Sequence, residues 1–143
     1  MTTLRWILVL PATIFFWVAA DFIMSILLNV IIFMGDFIHF SPIVDLISSP
    51  KYGAYQFVLF ASFLAAVYGS SYVAPSNKKI VSLSIASLFI LLRLAMTYSY
   101  FIDSHFTEDT PTQIIIGTIS AICGAILGVY LTIKAENPTK QAK

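Results

Sequence analysis

Two ionisable side chains stand inside stretches that are otherwise apolar. Asp21 lies in the run WVAADFIMS (17–25) and Arg93 in the run ILLRLAM (90–96). A carboxylate and a guanidinium in such surroundings have few uses. They can form a charge-assisted, bidentate pair, carry a proton or an ion, or meet an opposite charge on another chain. Residues at i and i+4 share a helix face. Asp21 belongs to the series Thr13, Trp17, Asp21, Ser25, Asn29, and Arg93 shares a face with Thr97 and Tyr100. Asp21, Arg93, Ser25, Asn29, Thr97 and Tyr100 are therefore the candidate buried polar network.

These two charges need elements to hold them, and the composition says which. Of 143 residues, 59% are hydrophobic and 10% charged, against about 25% charged in a typical soluble domain. The mean hydropathy is +0.90. That is too little charge to clothe a water-facing surface, so the reading is an integral membrane protein. No basic patch suggests nucleic acid. Cys123 is the single cysteine, which excludes an intrachain disulfide and leaves an inert packing thiol in an apolar segment.

A membrane-spanning helix needs about 20 apolar residues. Four stretches qualify, at about 6–34, 50–73, 80–101 and 111–133, and 135–143 reads as a flexible tail. The fold class is all-α: a polytopic bundle of four transmembrane helices forming one domain over 1–143. Ser49-Pro50 and Thr110-Pro111 put a capping hydroxyl before a proline at the first helical position, Ser76 or Asn77 caps the third helix, and Pro11 either kinks the first or sits in its opening turns. Met1 to Ala20 also has the outline of a signal peptide. Residues 22–34 stay apolar, however, and cleavage would leave a stub too short to span, so the first segment is read as an uncleaved helix. Ser41-Pro42 and the apolar residues around it predict a short helix lying in the outer interface.

Orientation follows from Lys and Arg in short loops. Arg5, Lys78, Lys79, Lys134, Lys140 and Lys143 fall on one side, and Lys51 alone on the other, with Asp36, Asp45, Asp103, Glu108 and Asp109. Both termini are therefore expected in the cytoplasm. The small size and the lack of glycosylation sequons point to a bacterial inner (plasma) membrane. Tyrosines near both predicted interfaces form the aromatic belt of a bilayer protein.

The depths of the two charges can be compared. Asp21 is 16 residues beyond Arg5 and Arg93 is 14 beyond Lys79, or roughly 24 and 21 Å at the rise of an α-helix. The expectation is that the first and third helices pack side by side with Asp21 bonded to Arg93. The structural reading, a pair that fixes helix register, is preferred to an ion or proton pathway, because a matched pair leaves neither group free to titrate. Arg93 snorkelling to the outer headgroups is a further option. A second feature is a helix-packing face on the fourth segment, Gly117, Ser120, Gly124 and Gly128, whose small residues admit close helix approach within the chain or with a partner. Ser62, Ala65, Ala66 and Gly69 make a weaker one on the second.

The outer loops hold His39 near Asp36, and His105 near Asp103, Glu108 and Asp109. Acidic outer loops are also what the topology predicts, and no zinc spacing is present, so no metal and no cofactor are expected. No nucleophile elbow, HExxH, P-loop or dinucleotide fingerprint occurs, and no catalytic residue is assigned. In size and four-span layout the chain resembles small multidrug transporters, which also place a carboxylate in the first helix; no motif of that family surrounds Asp21, and nothing further is carried over. The expected function is a non-enzymatic accessory or scaffold subunit of a membrane complex or homo-oligomer, its partners being the lipid bilayer and a second copy or another membrane protein. The alternative is a small proton- or ion-coupled transporter or channel using Asp21.

Overall fold

The computed structural model describes residues 2–38, 54–102 and 111–136. They form four α-helices: α1 (Thr2–Ile38), α2 (Ala54–Val73), α3 (Lys78–Ile102) and α4 (Pro111–Glu136). All four are long and apolar enough to cross a membrane. Each falls on one of the expected spans. Residues 35–38, expected in a loop, continue α1, and Ala135 and Glu136, expected in the tail, complete α4. The expected interfacial helix, residues 50–53 and the rest of the tail lie outside the described residues. Pro11 is accommodated within α1 rather than beginning it. At the α2–α3 turn Asn77 takes a positive φ of 54°, a backbone region asparagine tolerates better than most residues. Its carbonyl accepts the first hydrogen bond of α3, from the Val81 amide at 3.1 Å.

Small and hydroxyl-bearing residues fill much of the interior, together with Leu59, Phe63 and Val67, while most of the large apolar side chains face outward. Ser62, Ser70, Ser82, Ala66, Ala121 and Ala125 are fully or almost fully buried, whereas Phe15, Phe22, Phe33, Phe57 and Leu91 are mostly exposed. Association of helices in lipid depends on close backbone approach rather than on hiding apolar bulk, so this distribution points to a membrane location. The buried hydroxyls bond back to their own helices: Thr13 donates to the Val9 carbonyl at 2.7 Å, Thr118 to Ile114 at 2.7 Å and Thr132 to Gly128 at 2.9 Å. Such bonds satisfy a hydroxyl where no water is available.

Glycines decide which helices are neighbours. α2 is the central element, packed against α1, α3 and α4, and α3 also packs against α4. The ring of Phe16 on α1 lies directly over Gly69 of α2, where a Cβ would collide with it. Gly124 of α4 sits against the Phe60 carbonyl of α2 with no room for a methyl group, and Gly128 lies beside Val67 and Leu64. The small-residue faces of α2 and α4 are thus used within the chain.

Candidate functional site

Asp21 is exposed on α1. Its one hydrogen bond is from the Ser62 hydroxyl of α2, at 3.5 Å to Oδ1, the outer limit of such a bond. Further along α1, Asn29 Nδ2 donates to the Ser25 carbonyl at 2.9 Å, so these two amide and carbonyl groups satisfy each other locally.

Arg93 belongs to a different place. A Cβ on Gly117 of α4 would lie 2.9 Å from both Arg93 Nη2 and Gln56 Oε1, so guanidinium and amide converge over that glycine from α3 and α2. Gln56 is 6% exposed, and its Nε2 donates to the Gln113 carbonyl at 3.3 Å. Gln56 Oε1 and Arg93 Nε are nevertheless buried without a hydrogen-bond partner. One turn on, the Thr97 hydroxyl donates to the Arg93 carbonyl at 2.9 Å and meets the Thr118 hydroxyl of α4 at 2.7 Å. Tyr100 continues this face of α3, half-buried, its ring edge-on to Phe101 at 5.7 Å.

The expected Asp21–Arg93 bond is not formed, and this corrects the sequence reading. Among the described residues the only ion pair is Lys79–Glu136, at 3.8 Å. Matching depth along two helices does not fix which helix faces which. The notch at Gly69 and the contacts at Gly124 and Gly128 put α2 between α1 and α4, and α3 packs on α2 and α4 rather than beside α1. α1 and α3 touch only marginally, where the Trp17 and Phe89 rings meet edge-on at 5.9 Å and Phe89 leans on Phe63 at 5.2 Å. The six candidate residues therefore divide into a strip on α1 (Asp21, Ser25, Asn29) and a knot against α2 and α4 (Arg93, Thr97, Tyr100). Gln56, Gln113 and Thr118 complete the knot but lie outside the expected network, because they are neutral and stand on helices other than those of Asp21 and Arg93. Their one signal in the sequence is a polar side chain inside an apolar span.

The small-residue stripe also separates. Gly124 and Gly128 are close-packing positions, Gly117 makes room for polar side chains, and Ser120 is half-buried. At the other end of the bundle Lys78, Lys79 and Glu136 meet, with Lys78 over the Tyr72 ring at 5.4 Å and Ser71 bonded to Thr132 at 2.9 Å. The cavity here, about 50 Å³ and lined by Tyr68, Ser71, Lys78, Thr132 and Glu136, has space for little more than a water. No group of metal-ligating side chains occurs among the described residues; His39, His105, Asp103, Glu108 and Asp109 lie outside them.

Among the described residues, fold and site together define four helices long and apolar enough to cross a membrane, with mostly apolar outer surfaces and polar groups at their contacts. Compared with known protein families, with curated proteins and with solved structures, the chain matches none.

Proposed function

We propose that the chain is a non-enzymatic subunit of a membrane assembly, crossing a bacterial inner membrane four times with both termini in the cytoplasm. The observation that carries this reading is Asp21, an exposed carboxylate on a helix long and apolar enough to span. In a bilayer, a charge near the middle of a span costs on the order of 3 kcal/mol, and one long bond from Ser62 offsets little of it. A second protein surface supplies what lipid cannot. The gathering of Lys78, Lys79 and Lys134 at one end supports the orientation by the positive-inside rule.

The test is native mass spectrometry of the protein at its natural level, gently extracted. The reading expects a homo-oligomer or a second subunit of fixed stoichiometry that Asp21→Asn loses. A monomer unaffected by Asp21→Asn overturns it. The unpartnered polar atoms of Gln56 and Arg93 inside the bundle favour a second reading, a small transporter or channel. Proton or ion flux into liposomes that Asp21→Asn and Arg93→Gln abolish would support it, and flux equal to that of empty liposomes would overturn it.

A further inference from the structure

Asp21 stands where lipid would have to solvate it. It is exposed on α1, and among the described residues its one hydrogen bond is the 3.5 Å contact from Ser62. From Ile14 to Met34 no residue of α1 is fully buried. The open side is apolar around the charge, with Val18 and Phe22 exposed, and Asn29 is exposed about two turns further along. The described residues hold no cation that could balance Asp21. Arg93 is the one cation deep in a span, and its guanidinium is turned over Gly117 beside Gln56, with Nε buried in the bundle. Lys78, Lys79 and Lys134 stand at the basic end. Arg5 is 16 residues before Asp21, roughly 24 Å along α1. In the sequence Lys51 precedes α2, whereas Ser62, level with Asp21, is eight residues past the start of that helix, roughly 12 Å.

We propose that this side of α1 docks a membrane span of a different protein, one that carries a lysine or arginine at the depth of Asp21. The proposal rests on the subunit reading above and names the chemistry of the partner. A cation is the fitting match for a carboxylate in lipid. A charge-assisted bond is roughly twice as strong as a neutral one, and a pair balances two charges that are each costly in hydrocarbon. A neutral span would leave the charge of Asp21 uncompensated. A second copy of this chain is a poor occupant. Set parallel in the membrane, it keeps every residue at its own depth, so α1 against α1 brings carboxylate towards carboxylate, and like charges repel. Its Arg93 is committed to the interior of its own bundle. The glycine face of α4, the other candidate for contact between copies, is already filled by α2. The exposed amide of Asn29, roughly 12 Å along α1 from Asp21, adds a polar contact on the same helix.

The experiment offers the full chain a set of test spans. Each is a leucine–alanine helix with a basic cytoplasmic tail that fixes its orientation. One carries a single arginine at the depth of Asp21, one has leucine there, one has glutamate there, and one has the arginine moved two turns towards the cytoplasm. They are produced with the chain in bacteria at graded levels, with fluorescent proteins on the cytoplasmic ends, and association is read by resonance energy transfer. Half-maximal transfer should need about tenfold less of the arginine span than of the leucine span, in the range of polar contacts between helices in lipid. Moving the arginine, or replacing it with glutamate, should remove the advantage. Asp21→Asn in the chain should remove it too, with folding checked by helical circular dichroism and elution, and Asp21→Lys should hand the advantage to the glutamate span. If Asp21→Lys does not fold, Asp21→Asn decides. An arginine span that binds no better than the leucine span, or an advantage that survives Asp21→Asn, overturns the proposal. In native mass spectrometry, a homo-oligomer lost with Asp21→Asn, or a lost subunit with no lysine or arginine inside any span, overturns this proposal and leaves the subunit reading standing. A wild-type monomer overturns both.

Discussion

Replacing Gly124 with alanine drives a methyl group into the Phe60 carbonyl of α2. That obstacle is backbone, so it cannot rotate away, and either α2 or α4 must shift. Forcing an extra carbon into a filled interior costs about 1–3 kcal/mol. The better helix propensity of alanine returns about 1 kcal/mol. Because the obstacle is backbone, the cost falls in the upper part of that range, about 2–3 kcal/mol, and the net loss is about 1–2 kcal/mol, up to roughly a thirtyfold change in the unfolding equilibrium. Neighbouring glycines provide the internal scale. At Gly128 the nearest atoms are Val67 Cβ at 2.9 Å and the Leu64 carbonyl at 3.1 Å, a milder collision, and the loss there should be smaller. At Gly117 the obstacles are the ends of two side chains, Arg93 Nη2 and Gln56 Oε1, which can swing aside, so alanine should be close to neutral. The assay is dodecyl sulfate-driven unfolding in mixed micelles, followed by the fluorescence of Trp6 and Trp17. A Gly124→Ala variant as stable as the wild type, or one more stable than Gly117→Ala, would refute the account of α2–α4 packing.

Other expectations follow from single contacts. Thr97→Val removes the hydroxyl shared with Thr118 but leaves Thr118 bonded to Ile114, so the same unfolding assay should register a loss of only about 0.5–1 kcal/mol. Glu136→Gln removes a partly exposed ion pair with Lys79 and should cost less than about 1 kcal/mol, falling further in high salt. Cys123 is exposed in the middle of α4 rather than packed inside the bundle; a charged, impermeant maleimide should leave it unlabelled in intact membranes and label it after dodecyl sulfate denaturation, because the reactive thiolate needs water, as read by mass spectrometry, and efficient labelling in intact membranes would contradict a lipid-facing α4.

The helices were legible because length and continuous apolarity are local properties. α3 and α4 extend only two or three residues past their expected bounds, and Pro111 opens α4 as its position after Thr110 suggests. The contribution of Gly124 and Gly128 to close packing was also legible, although not which helix they serve. Neighbour choice was the part the sequence concealed. Depth is counted along one helix, but azimuth depends on where a ring such as Phe16 finds a notch such as Gly69 on another. That is why Asp21 and Arg93 match in height yet meet Ser62 and Gln56 instead of each other. The knot around Gly117 was hidden for the same reason, since Gln56, Arg93 and Thr118 are far apart in the chain.

α1 has 37 residues and α2 has 20, or roughly 55 and 30 Å of rise. The longer helix is held on α2 by the Phe16–Gly69 notch and by the bond from Ser62 to Asp21. A hydrocarbon core is about 30 Å thick. Even tilted by about 40°, the upper end for spanning helices, α1 would still cover roughly 42 Å along the membrane normal. Part of α1 therefore stands clear of the hydrocarbon layer.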